Sequence, residues 1–125
     1  MHKAIRRAKD EGDKRGLYMV EKEIIKKVEQ FAKRLKKHKI KIAKVILYGS
    51  RVSGRAHKDS DIDVAIVSPD FGKNRYKEGV RLFAIAGEID PRIEPVPISV
   101  ESYKNDTWIP LVYEIRTKGI ELKAA

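Results

Sequence analysis

The sequence predicts an α+β domain in which a small mixed β-sheet packs against helices. Three observations point there. Apolar residues recur at helical spacing between Val20 and Leu35. Two short β-branched runs, KIAKVILYG and DIDVAIV, flank a segment rich in Gly and Ser. A third extended run, RIEPVPIS, sits between two further helical patterns. The order helix, strand, loop, strand, helix, strand, helix cannot make an all-parallel or all-antiparallel sheet simply, and implies a mixed one.

Each element has its own signal. Residues 1–16 are polar, contain Gly12 and Gly16, and hold no sustained period, so they read as a flexible basic arm. The folded domain is expected over 17–125. Val20, Ile24, Val28, Phe31 and Leu35 step by 4, 4, 3 and 4, one face of a helix expected from Leu17 to Lys37. KIAKVILYG is a buried strand stopped by Gly49. GSRVSGRAHKDS is a loop with a short helix. DIDVAIV alternates, with Ile62, Val64 and Ile66 on one side and Asp61, Asp63, Ala65 and Val67 on the other. Tyr76 to Ile89 is helical, with Val80, Phe83 and Gly87 in register as its core face. The two prolines of RIEPVPIS suit an edge strand. A helix near Trp108–Lys118 ends at Gly119, and IEL is a short final strand.

Composition removes several kinds of chemistry. The 125 residues include no Cys, which excludes disulfides, thiolate zinc sites and cysteine nucleophiles. No apolar run approaches the roughly 18 residues of a membrane span. The N-terminus has basic residues without an apolar core, so no secretory signal is expected and a cytoplasmic location is the default. Charge is uneven. Residues 1–44 hold 16 Lys/Arg against 6 Asp/Glu, whereas 45–125 hold 12 of each, so the first part carries the whole net charge of +10. Such a segment attracts RNA, nucleotide phosphates or an acidic protein, or is simply a solvated helix face. Only Tyr18 and Phe31 offer rings there, which weakens a single-strand-binding reading.

The chemistry concentrates between Gly49 and Asp63. Gly49-Ser50 follows a strand directly, and Asp61-Ile62-Asp63 opens the next one ten residues later. Two Asp at i and i+2 on a strand project to one side. They repel each other without a cation, and Mg²⁺ characteristically takes one or two carboxylates plus phosphate oxygens. Gly49 permits a tight turn. Ser50 supplies a hydroxyl and an N–H at the start of a short helix, where an anion can sit.

Gly49-Ser50-Arg51, Gly54, Ser60-Asp61 and Asp63 resemble the signature of the polymerase-beta-like nucleotidyltransferase superfamily, in particular its minimal nucleotidyltransferases. The resemblance extends over about 20–122 and implies that fold for the domain. It implies transfer of a nucleoside monophosphate, AMP from ATP, to a hydroxyl, with Asp61, Asp63 and Glu94 as catalytic and metal-ligating carboxylates around two Mg²⁺. Asp90 competes with Glu94 for the third position, but it precedes Pro91, where a turn is expected. Gly49 and Ser50 would hold the β- and γ-phosphates. Arg51 would reach the same phosphates or pair with Asp61 or Asp59. His57 reads as a solvent-facing loop residue, and core packing is the commoner fate of Trp108 and Tyr113.

The chain leaves no room for a separate acceptor-binding domain. The resemblance therefore implies a partner: a second copy, or a HEPN-type all-helical protein whose tyrosine accepts AMP, the present chain acting as antitoxin. Transfer to a small molecule in a cleft shared with another subunit is the alternative. A non-catalytic module binding a protein, or RNA through residues 1–44, is the reading from a different class.

Overall fold

The computed structural model describes residues 20–123. Helix α1 (Lys22–Lys37) leads to β1 (Lys44–Tyr48), the single-turn α2 (Ser50–Ser53) and β2 (Ile62–Ser68). Then come α3 (Arg75–Gly87), β3 (Ile93–Ser99), α4 (Val100–Asn105), α5 (Pro110–Lys118) and β4 (Ile120–Leu122). The strands form one mixed sheet in the order β3-β2-β1-β4. β1 is antiparallel to β2 and β4, while β2 and β3 are parallel. A parallel pair needs a long crossover, and α3 supplies it. The arm expected over 1–16, and the first residues of the helix expected from Leu17, lie outside the described residues. Among those described, no helix is long and apolar enough to cross a membrane.

Strand alternation gives the sheet two inward faces. On the first, Val45, Leu47, Ile62, Val64, Ile66 and Ile93 meet the buried stripe of α1 and the inner side of α3. The stripe read from sequence, Val20 to Leu35, is wholly buried there. Glu23 in the first turn of α1 and Arg34, Lys36 and Lys37 in its last complement the helix dipole. On the second face a smaller cluster forms around Ile46, Ala65, Val67, Ile98 and Ile115.

Edge strand β3 is where the prolines predicted it. Pro95 and Pro97 sit opposite Val64 and Ile66. Two residues apart, their nitrogens turn the same way, toward the side that carries no neighbouring strand, so no ladder hydrogen bond is lost.

Three expectations are corrected. The core face of α3 is Leu82, Ile85 and Ala86, not Val80 and Phe83, which are exposed. The helix carries two apolar stripes on opposite sides, and only one can face the sheet. Trp108 is 78% exposed and Tyr113 55%, so neither packs in the core. Trp108 lies in the turn before Pro110 begins α5, and the helix buries Val112 and Ile115 instead. Finally, VESYKN forms the unforeseen helix α4, capped by the Ser99 side chain, which accepts from the Ser102 N–H. Six residues are too few to show a helical period.

Candidate active site

The site is built at one end of the second sheet face. β1 runs into Gly49, whose φ of +80° and ψ of −151° suit only glycine. Its backbone lies against the Asp63 carboxylate: a Cβ at Gly49 would collide with Oδ2 and stand 3.2 Å from Cγ. The turn and the carboxylate are therefore fitted to each other.

Strand register then sets the acids in a row. Tyr48 pairs with Asp63 across the antiparallel ladder, and Asp63 pairs with Glu94 across the parallel one. Register partners point to the same face, so Tyr48, Asp63 and Glu94 stand side by side at strand spacing, about 4.8 Å. Asp61 lies two residues before Asp63, just outside β2. Asp61 and Glu94 are exposed, whereas Asp63 is half-buried.

The electrostatics reflect how closely these acids are set together. Burial, then the negative charges of Asp61, Glu94 and Glu114, push the Asp63 carboxyl above its usual range. Burial, then Asp63, Glu114 and Glu94, push the Tyr48 phenol up to about 12. Glu114 was missed by sequence reasoning. Its only signal is the spacing Leu111, Glu114, Ile115, which puts it on the inner side of α5, and nothing in the sequence says what that side faces.

Among the described residues no three His, Asp or Glu side chains are arranged to hold a metal ion unaided. The donor set nonetheless suits Mg²⁺, which takes few carboxylates and completes its shell with phosphate oxygens and water. The negative charges that Asp61, Glu94 and Glu114 set beside Asp63 are what such a cation would offset.

Asp90 is placed differently from Glu94. It is buried, and both its oxygens are occupied by Arg92. Oδ1 accepts from the Arg92 backbone N–H at 2.9 Å and from Nε at 3.1 Å, and Oδ2 accepts from Nη2 at 2.8 Å. Lys27 Nζ stands 4.0 Å away. The hydrogen bonds to Arg92, opposed by burial, bring the Asp90 carboxyl down to about 2. Asp90 is thus a structural anion, and the register sets Glu94 beside Asp63.

Arg51 takes a place that the sequence did not suggest. It is 94% buried, with a relative exposure of 6%. Its Nη2 donates to the carbonyls of Ser60 at 2.7 Å and Lys58 at 3.3 Å. The guanidinium fastens the loop before Asp61, with no ion pair to Asp59 or Asp61. Burial and the nearby Arg92 lower its pKa. Ser50 opens α2 beside Gly49 and lines a cavity of about 230 Å³ between α1 and the loop, with Glu21, Ile24 and His57. Asp61, Asp63 and Glu94 do not line that cavity. His57 is exposed, as expected of a loop residue.

A family model described as "Nucleotidyltransferase domain" matches residues 25–118, from α1 to the end of α5. No curated protein matches the chain. A solved structure described as a toxin-antitoxin with AMP-PNP is 25% identical, covers 78% of this chain and 73% of its own, and superposes with a TM-score of 0.53. A second, a mutant of the toxin-antitoxin MntA-HpeT, is 22% identical over 77% of this chain and 72% of that one, with a TM-score of 0.49. The matched span contains Gly49-Ser50, the row Asp63–Glu94 and the helices that pack around them, and on that ground the chain belongs to the nucleotidyltransferase domain family.

Proposed function

We propose that the chain moves AMP from ATP to a hydroxyl acceptor in a Mg²⁺-dependent reaction. The acceptor in this reading is a tyrosine of a HEPN-type partner protein, and the chain is the antitoxin of a toxin–antitoxin pair. The carrying observation is the row formed by Asp63 and Glu94, with Asp61 beside it and the Gly49 backbone against it. The family match and the AMP-PNP complex of a similar protein support nucleotide as substrate.

In the reaction the acceptor oxygen bonds to the α-phosphorus, the bond from that phosphorus to the bridging oxygen breaks, and pyrophosphate leaves. Mg²⁺, when bound, neutralises the triphosphate and lowers the pKa of the attacking hydroxyl. Asp61, Asp63 and Glu94 are the residues that would hold it, and a second ion in the two-ion form of the reaction. In this reading Gly49 and Ser50 would hold the β- and γ-phosphates. Glu94, exposed on the edge strand, takes the acceptor's proton. Positioning and charge neutralisation suffice for this chemistry, so neither Cys nor His is required. Solvent-exposed Tyr76, Val80 and Phe83 on α3, with Trp108 before α5, support a protein partner over a small molecule.

The test combines radiolabelled ATP, Mg²⁺, this protein and the product of the adjacent gene, with Asp61→Ala/Asp63→Ala as control. Label on the neighbour, absent in the control, is the expected result. Calorimetric binding of Mg–ATP with label nowhere would overturn the protein acceptor and direct the search to small molecules. Neither label nor binding would overturn catalysis and leave the binding-module reading.

A further inference from the structure

Asp61 is the one carboxylate of the proposed site that no strand ladder holds. β2 begins at Ile62, whose N–H donates to the Arg92 carbonyl at 2.8 Å. Before it, residues 54–60 form a loop in which Arg55, His57, Lys58 and Asp59 are exposed. Side chains alone would leave such a loop loose, and with it the direction of Asp61.

The loop is held by its carbonyls instead. The Lys58 carbonyl accepts from Arg92 Nη1 at 2.7 Å and from Arg51 Nη2 at 3.3 Å. The next carbonyl bonded, that of Ser60, accepts from Arg51 Nη2 at 2.7 Å. The Ser60 hydroxyl closes the turn by accepting from the His57 N–H at 2.9 Å. The two arginines come from different places. Arg51 follows Gly49-Ser50, and Arg92 comes two residues before Glu94. One backbone carbonyl thus ties together the chain segments that carry Ser50, Asp61 and Glu94.

Two guanidinium groups on one carbonyl repel each other. Asp90 offsets this by gripping the Nε and Nη2 edge of Arg92, which leaves Nη1 for the carbonyl. Only a planar fork does both, since a lysine has one nitrogen to share between carboxylate and carbonyl.

We propose that Arg92, locked by Asp90, is a positioning residue that works with Arg51 to hold the Lys58–Ser60 segment and so aim Asp61 at a divalent cation shared with Asp63. The inference rests on Asp61 being a metal ligand, and adds what makes it one.

The experiment is a Mn²⁺ titration followed by electron paramagnetic resonance, on the full chain with a non-hydrolysable ATP analogue. The proteins are the wild type, Arg92→Lys, Asp90→Asn, Asp61→Ala and the double variant Arg92→Lys/Asp61→Ala, each checked for fold by circular dichroism. Residues that orient a metal ligand from behind contribute about 10- to 100-fold in affinity. Arg92→Lys and Asp90→Asn are expected to weaken Mn²⁺ binding by about 10-fold or more. In the Asp61→Ala background Arg92→Lys is expected to cost nothing further, because its effect passes through Asp61. Equal losses in both backgrounds would mean a general structural role and overturn the proposal, as would unchanged binding in Arg92→Lys. Unchanged binding in Asp61→Ala alone would overturn the metal assignment itself, and this inference with it.

Discussion

On one face of the sheet, α1 and α3 cover the strands with branched aliphatic side chains from end to end. On the other, the rows change character along the strands. Val67 pairs with Lys44 and Ile98, Ala65 with Ile46 and Val96, and Asp63 with Tyr48 and Glu94. The small cluster around Ile115 closes over the first rows, and from the last row Tyr48 alone packs against it. In β1, β2 and β3, therefore, one parity of side chains builds the large core and the other carries the acids of the proposed site. Because a strand's side chains alternate, the stiffness of the large core is passed directly to the acids on the reverse side.

Substitutions on the two faces should separate these roles. The largest effect is expected from Asp63→Asn. In the proposed reaction Asp63 would hold the metal, and its loss would remove several kcal/mol of charge stabilisation, so label transfer should fall by about 10³-fold. The same protein should melt higher than the wild type at pH 7. The folded-state pKa of Asp63 is raised, so its ionisation costs stability as pH rises through that value. The advantage of Asn should shrink as pH falls through the carboxylate range. A lower melting temperature for Asp63→Asn at pH 7 would break the division between the faces.

Phe31→Ala on the first face should do the opposite. Phe31 is fully buried, and its truncation should cost about 3–5 kcal/mol in denaturant unfolding. Calorimetry under folding conditions should find Mg–ATP affinity unchanged.

Asp90→Ala tests the join between the faces. A carboxyl held at about 2 instead of 3.8 is worth about 2 kcal/mol at neutral pH. The folded pKa is depressed, so this stability is present above pH about 4 and lost as pH falls toward about 2. The unfolding free energies of wild type and variant should converge over that window.

The smallest effect is expected from Phe83→Ser. Its ring is 57% exposed, so stability should move by no more than about 0.5 kcal/mol, whereas Leu82→Ala, one residue away, should cost about 2–5 kcal/mol. Equal costs would restore the inward orientation that periodicity suggested.

That pair of residues also shows where sequence reasoning runs out. In α1 one apolar stripe opposes a charged face, and periodicity alone identifies the buried side. In α3 Val80–Phe83–Gly87 steps by 3 and 4 and Leu82–Ile85–Ala86 by 3 and 1, and each set falls on one side of a helix. Only the crossover from β2 to β3 decides which one meets the sheet. The acids divide in the same way. Gly49-Ser50 and Asp61-x-Asp63 were legible because short local spacing carries them. Glu94 needed a strand and its register, and Asp90 lost to it through a partner two residues away. Glu114 reaches the site through tertiary packing of α5, and Arg51 found carbonyls that exist only once the loop has folded.

The prolines of β3 have a consequence for assembly. A strand with two missing donors on its outer side cannot accept a further strand in register, so a partner chain cannot continue the sheet beyond β3. The rim that carries Glu94 stays open sideways. In the proposed reaction an acceptor would reach it along the plane of the sheet while nucleotide occupied the turn at Gly49, so the two substrates would approach from different directions.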